Sequence, residues 1–238
     1  MKLSAISLIL VAAVSVGAAS AQSGPANPLE GASTHQSWEH GVIVQGGNGI
    51  TDHRNDFHFV MVGVHAGRVL TGNFMPGFLR GNFEYAIEVF PYWQSFTPKF
   101  QRVKCAQPGA VITCSAPYTV GGSFIGASVT PIILRWNFAT HGKITPWVQG
   151  AGGVLWTNHK YPAYGDTTVN LQTNGPNGDA SVWNFTPQGG IGMHYFMHPN
   201  RSLDFSANAI HISSASLGDR NPGVNASVQV SVGYTWWK

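Results

Sequence analysis

The chain has 238 residues and a net charge of +3, and 10% of its residues are charged, against about 25% in an average protein. A positive charge this small and scattered argues against a nucleic-acid partner. With 29 glycines and 12% aromatic residues, the composition favours a strand-rich protein that faces a nonaqueous phase.

Residues 1–21 have the features of a cleaved signal peptide. Lys2 supplies the positive start, residues 3–17 are mostly small and apolar, and the small residues 19–21 form a cleavage site before Gln22. A membrane anchor would need about 20 apolar residues in succession, whereas serines interrupt this stretch. We therefore expect residues 22–238 to be the exported protein, a length that suits one domain.

The exported part contains eight segments with the period-two alternation of β-strands, and no stretch of comparable length has a helical period. Mostly long gaps, rich in Gly, Pro, Asn and Asp, follow the first, third, fifth and seventh segments, whereas the gaps after the fourth and sixth are very short. Long loops on one side and short turns on the other are typical of outer-membrane barrels. The segments span about 37–47, 57–70, 82–96, 123–138, 144–157, 182–197, 202–213 and 225–237.

Apolar and polar residues occupy opposite faces of these segments. In the last one, the even-numbered residues from Ala226 to Trp236 are apolar, and the other face carries Asn225, Ser227, Gln229 and Ser231. In the third, the apolar face consists of Phe83, Tyr85, Ile87, Val89 and Trp93. Tryptophans gather near segment ends, as in an interfacial girdle: Trp38, Trp93, Trp136, Trp156, Trp236 and Trp237.

This pattern predicts an all-β fold, an eight-stranded antiparallel transmembrane β-barrel whose apolar face meets lipid. A soluble sandwich or lipocalin-like barrel would have the same period with its apolar face inside, and it stays an alternative. An eight-stranded barrel has an interior that side chains fill. We therefore expect a buried polar network rather than a pore, made by Glu84, Glu88, Arg135, Gln149, Gln188 and Asp204.

Cys105 and Cys114 are the only two cysteines. In an exported protein such a pair predicts a structural disulfide, and the loop between them contains no histidine that would favour a metal site. The histidine spacing elsewhere also indicates no metal: His35 with His40, and His194 with His198, lack a third ligand nearby in sequence. We therefore expect neither a metal nor another cofactor.

The seventh segment ends in a pair of residues that could carry chemistry. His211 and Ser213 lie on its apolar face, next to a long loop, and their Cα atoms should be about 7 Å apart in an extended chain. A serine hydroxyl becomes a useful nucleophile when a neighbouring base removes its proton. A pattern this short is also compatible with an interfacial histidine and a serine that bonds the backbone.

The run His211-Ile-Ser213, followed by Asn221-Pro-Gly223 and a final strand with Gly233-Tyr234, resembles the PagL family of outer-membrane lipid A 3-O-deacylases. The resemblance implies an eight-stranded barrel in the bacterial outer membrane that hydrolyses lipid A, or lipopolysaccharide, without a cofactor. It implies Ser213 as the nucleophile, His211 as the general base, and Asn221 with Gly223 as support for the oxyanion. Asn-Pro-Gly is also a turn signal in its own right.

The family's third member is a glutamate about a dozen residues after the serine, and this sequence has Asn225 in that region. An asparagine would orient the imidazole without stabilising its charge, and replacing a triad acid by its amide costs a factor on the order of 10⁴ in rate. Asp219 is a second candidate acid. Two other functions therefore stay open: a non-enzymatic outer-membrane barrel for adhesion, envelope integrity or small apolar ligands, and a soluble lipid-binding barrel.

Overall fold

A computed structural model describes residues 27–32, 36–51, 54–103, 105–106, 111, 113–161, 181–215, 217 and 224–238. The predicted signal peptide and residues 219–223, which include Asn221 and Gly223, lie outside these ranges. The described residues form eleven strands and one turn of 3₁₀ helix at Gly77–Leu79. The strands are β1 Trp38–Gly49, β2 His58–Val69, β3 Gly81–Arg102, β4 Cys105–Ala106, β5 Thr113–Cys114, β6 Tyr118–Phe138, β7 Ile144–Tyr161, β8 Ser181–Phe185, β9 Gln188–His198, β10 Arg201–His211 and β11 Ala226–Trp237.

The long strands close into one antiparallel barrel. Neighbours pair in the order β6, β3, β2, β1, β11, β10, β9 and β7, and a further pairing of β6 with β7 joins the ends. β8 and β9 both pair with β7 and form a single wall, interrupted where Pro187 has no N–H to give to a ladder. Counted in this way the barrel has eight walls, which confirms the predicted fold. No helix among the described residues has the length and apolar character needed to cross a membrane.

The apolar face of each wall is outside. In β11, Val228, Val230 and Val232 are exposed, whereas Gln229 and Ser231 between them are buried. A soluble sandwich or lipocalin-like barrel would place these faces the other way round. The exterior is therefore the apolar surface that a membrane-spanning barrel presents to lipid.

The third strand departs from the predicted alternation. Register shifts occur in its pairing with β6 between Phe90 and Trp93, around Pro91. A bulge of this kind changes which face the following residues occupy. Trp93 is consequently buried inside the barrel, and Trp237 is buried as well, so the prediction that both belong to an outer girdle is wrong.

The two ends of the barrel differ in their connections. At one end, short turns join β6 to β7 and β9 to β10. At the other end the connections are longer, as between β7 and β8 and between β10 and β11. The long gap predicted between the third and fourth segments, residues 97–122, is wrong in part, because β3 and β6 continue into it as a paired extension. This extension carries the two-residue ribbon in which Cys105 lies opposite Cys114.

The interior also divides into two halves. Near the turns, buried polar side chains fill the barrel, and residues 27–32 close that end with the fully buried Leu29 packed against Phe196 and Trp237. Near the loops the interior is mainly apolar and aromatic. This apolar core consists of Ile43, Phe57, Phe59, Met61, Phe90, Trp93, Phe124, Leu155, Tyr161, Ile210 and Ile212.

Candidate functional site

His211 and Ser213 lie on the outer face of the barrel at the loop end of β10. Ile210 and Ile212, which alternate with them, point into the apolar core and are buried. His211 and Ser213 are half-buried, and they continue the row that contains the exposed Phe205. The structure thus places both side chains on the lipid-facing side, as the strand alternation predicts.

The backbone of Ser213 is fixed by a bridge to the neighbouring wall. The Ser213 N–H donates to the Phe185 carbonyl at 3.0 Å, and the Phe185 N–H donates to the Ser213 carbonyl at 2.7 Å. The Ser213 Oγ accepts a hydrogen bond from the Ala215 N–H at 3.3 Å. Ala215 has a φ of 45°, in the left-handed region, so the chain turns away sharply after the serine and leaves it at the rim.

A backbone carbonyl holds the imidazole of His211. Its Nδ1 lies 3.1 Å from the Asn225 carbonyl oxygen, which also accepts the Ile212 N–H at 2.8 Å. Because a carbonyl oxygen can only accept, Nδ1 must carry the proton in this contact. The neutral ring then has its lone pair on Nε2, the nitrogen that a general base uses.

Asn225 therefore contacts the imidazole through its main chain. Its side chain is 1% exposed and lies inside the barrel, on the same face as Ser227 and Gln229. The side chain is thus on the opposite side of the wall from the imidazole. The structure brings His211 into contact with the main chain of Asn225 and places Ser213 on the same face of the wall, two residues further on. Asn221, Gly223 and Asp219 lie outside the described residues.

The surroundings of this group are apolar. Trp183 and Phe185 on the adjacent wall are 52% and 41% exposed, and Leu217 and Val224 in the neighbouring loop are each 62% exposed. A hydrocarbon chain could lie along these side chains while a polar group reaches the serine. This arrangement suits attack on an ester whose acyl chain stays in the lipid phase.

A second cluster of polar residues occupies the turn half of the interior. Arg135 donates from Nη1 to Glu84 Oε1 at 2.8 Å and to Glu39 Oε1 at 3.3 Å. His194 Nδ1 lies 2.8 Å from Asp204 Oδ1. The predicted Glu84, Glu88, Arg135, Gln149 and Asp204 are all inside as expected, and Gln188 is half-buried and donates to Thr130 at 3.4 Å.

Sequence reasoning missed Glu39, His65 and His194 as members of this interior cluster. The available signal was their position on inward faces near the turn ends of β1, β2 and β9. Among the described residues, two sets of side chains could hold a metal ion: Glu39 with His65 and Asp204, and Glu39 with Glu84 and His194.

A family model described as Lipid A 3-O-deacylase (PagL) matches residues 80–235. The crystal structure of the outer membrane enzyme PagL aligns at 16% identity and a TM-score of 0.37, covering 82% of this chain and 98% of that one. The N-terminal β-barrel domain of Pseudomonas aeruginosa OprF aligns at 12% identity and a TM-score of 0.39, covering 84% and 97%. No curated protein matches the sequence.

Proposed function

Since the chain belongs to the lipid A 3-O-deacylase (PagL) family, we propose that it is an outer-membrane esterase that removes the acyl chain ester-linked at the 3-position of lipid A. The family model covers the β3–β11 region, which includes His211 and Ser213. The apolar exterior supports a bacterial outer-membrane location, reached by export and cleavage of residues 1–21. Lipid A, as part of lipopolysaccharide, is the partner that this reaction requires.

In the proposed reaction, His211 Nε2 takes the proton of the Ser213 hydroxyl while Oγ attacks the ester carbonyl. The tetrahedral intermediate collapses, and the imidazolium returns the proton to the departing sugar oxygen. Water then attacks the acyl-serine with the same histidine as base, which releases the fatty acid and restores the serine. Asn221 and Gly223 are our candidates for oxyanion support, by N–H donation to the carbonyl oxygen as charge develops.

The observation that carries the proposal is the contact between His211 Nδ1 and the Asn225 carbonyl, at 3.1 Å. It supports the Nδ1–H tautomer and leaves Nε2 basic on the face that carries Ser213. We propose Asn225 as a positioning residue that acts through its main chain. A neutral carbonyl stabilises an imidazolium less than a carboxylate does, so we expect slower turnover than in a site with an acid.

The test is deacylation of purified lipid A by the folded protein in detergent, with release of the 3-hydroxy fatty acid measured by mass spectrometry. Ser213→Ala should abolish release. Ser214→Ala is the matched control, because Ser214 is the next residue but its side chain is fully buried. Equal release by the wild type and by Ser213→Ala would refute the assignment of the nucleophile.

The second candidate function is a non-enzymatic outer-membrane barrel. Its support is the absence of an acid at position 225, where Asn225 turns its side chain inward. Wild-type protein that is folded and releases no fatty acid from any lipid A preparation would favour this function.

We also propose that Cys105 and Cys114 form a disulfide. The two residues are opposite each other in the β4–β5 ribbon, and no described cysteine is free. A bridge there would hold the tip of the β3–β6 extension, outside the barrel. Alkylation before and after reduction tests it: two added groups only after reduction support the bridge, and two added groups before reduction refute it.

A further inference from the structure

We propose that the turn half of the barrel interior is a binding site for one divalent transition-metal ion, with Glu39, Glu84 and His194 as its ligands. One ligand atom from each of the three residues lies within 4.8 Å of those of the other two. The ligands come from β1, β3 and β9, which are different walls of the barrel. This site is separate from the proposed esterase site at the loop end.

The orientation of His194 is the one that metal-binding histidines adopt. Its Nδ1 is 2.8 Å from Asp204 Oδ1, and Asp204 also accepts hydrogen bonds from Ser202 and Thr235. Histidine ligands commonly donate their second ring N–H to a carboxylate in this way, which fixes the ring and raises the basicity of the other nitrogen. Nε2 is then the nitrogen that can bind an ion.

Two of the ligand groups have no hydrogen-bond partner among the described residues. They are His194 Nε2 and Glu39 Oε2, and the two residues are 1% and 2% exposed. A buried polar atom without a partner is destabilising, and more so if it is charged. An ion bound between them would satisfy both atoms. His65 Nε2, by contrast, already has Thr235 Oγ1 at 2.9 Å, which favours the set with His194 over the set with His65.

The excess of acidic over basic side chains in this half of the interior also favours a bound cation. Among the described residues, this half of the interior holds the buried carboxylates of Glu39, Glu84 and Glu88, the half-buried carboxylate of Asp204 and one guanidinium, that of Arg135. Arg135 binds Oε1 of both Glu39 and Glu84, which leaves Glu39 Oε2 available. If all four carboxylates are ionised, a divalent ion reduces an excess of three negative charges to one.

The chemistry of the ligands selects the class of ion. Mixed imidazole and carboxylate ligands suit Zn²⁺, Mn²⁺ or Co²⁺, whereas Mg²⁺ and Ca²⁺ prefer oxygen ligands alone. A cavity of about 20 Å³, lined by His194, Asp204 and Arg135 among others, adjoins the cluster. It has room for about one water molecule, which could complete the coordination.

The test is refolding of the full chain in detergent with Zn²⁺, removal of loose metal by gel filtration, and measurement of zinc per folded barrel. The wild type should retain about one zinc ion, and Glu39→Gln and His194→Gln should each lower zinc at least tenfold. Glu88→Gln is the matched control, because it removes a buried carboxylate outside the ligand set and should keep the ion. Wild-type barrel without zinc would overturn the proposal, and so would equal loss in all three variants.

Two further measurements keep the test decisive if a variant does not fold. Co²⁺ bound to the wild type should give a visible absorption spectrum that Zn²⁺ displaces and Mg²⁺ does not. Asp204→Asn, which keeps all three ligands, should weaken zinc binding about 10- to 100-fold. No Co²⁺ spectrum would overturn the proposal, and unchanged zinc affinity in Asp204→Asn would refute the argument that Asp204 orients His194 as a ligand.

Discussion

His211 and His194 are each held through Nδ1, but in opposite surroundings. His194 is inside the barrel, bonded to a carboxylate that a serine also contacts, so serine, histidine and aspartate meet there. His211 is on the outer face, where its contact among the described residues is with a main-chain carbonyl, and Ser213 lies on the same lipid-facing row. The interior trio has the better electrostatic partners, but its histidine and serine are buried inside the barrel. The lipid-facing position is therefore the reason that His211, rather than His194, is our candidate for catalysis.

The surroundings of the two histidines differ as well. The interior cluster contains charged side chains from several walls, and ion pairs between the walls stabilise them. The outer site is backed by the apolar core, including Ile210 and Ile212, which fixes the wall behind it. We therefore expect changes in the interior cluster to alter stability and changes at the outer site to alter activity.

The largest expected effect is on activity. His211→Gln should lower the deacylation rate about 10²- to 10⁴-fold, the usual contribution of a positioned general base. His194→Gln is the control and should leave the rate per folded protein unchanged, because this side chain is buried inside the barrel. A rate that falls in His194→Gln but not in His211→Gln would reverse the assignment of the two histidines.

The next effect is on stability. Arg135→Met should lower the free energy of unfolding by about 3–5 kcal/mol, because it leaves the carboxylates of Glu39 and Glu84 buried without their guanidinium. Urea titration in lipid vesicles measures the change. Arg201→Met, at an exposed position in the β9–β10 turn region, should change it by less than about 0.5 kcal/mol. Similar values for the two variants would mean that the ion pairs contribute little.

The smallest expected effect distinguishes main chain from side chain at position 225. Asn225→Ala keeps the carbonyl that holds His211, so the deacylation rate should fall by less than about tenfold. If the amide side chain were the third member of a triad, a loss on the order of 10⁴ would be expected instead. A loss of that size in a folded Asn225→Ala barrel would refute the positioning role of the main chain.

The fold could be predicted from the sequence because lipid on one side and packed polar groups on the other impose a strict alternation. This alternation was enough to place His211 and Ser213 outside. The alternation failed in β3, where the bulge around Pro91 places Trp93 on the inner face of the barrel instead of the outer face. A bulge adds a residue without changing the composition of the strand, so the periodicity does not indicate it.

The site was predictable only in part. The strand pattern grouped Asn225 with the inward-facing Ser227 and Gln229, whereas the family resemblance suggested that its side chain lies beside the imidazole. In the structure the side chain points inward, and the main-chain carbonyl of Asn225 contacts His211. The cluster of Glu39, Glu84 and His194 could not be predicted from spacing. These residues are far apart in sequence and meet only when the barrel closes in this register.

We propose that a lipid-facing serine and histidine on the barrel wall hydrolyse lipid A. Mass spectrometry of lipid A from bacteria that express the chain tests this claim most directly, with cells that express Ser213→Ala as the reference. The wild type should yield lipid A that lacks one 3-hydroxyacyl chain, and the variant should leave it intact. Identical lipid A from both cultures, with both proteins folded in the outer membrane, would contradict the account.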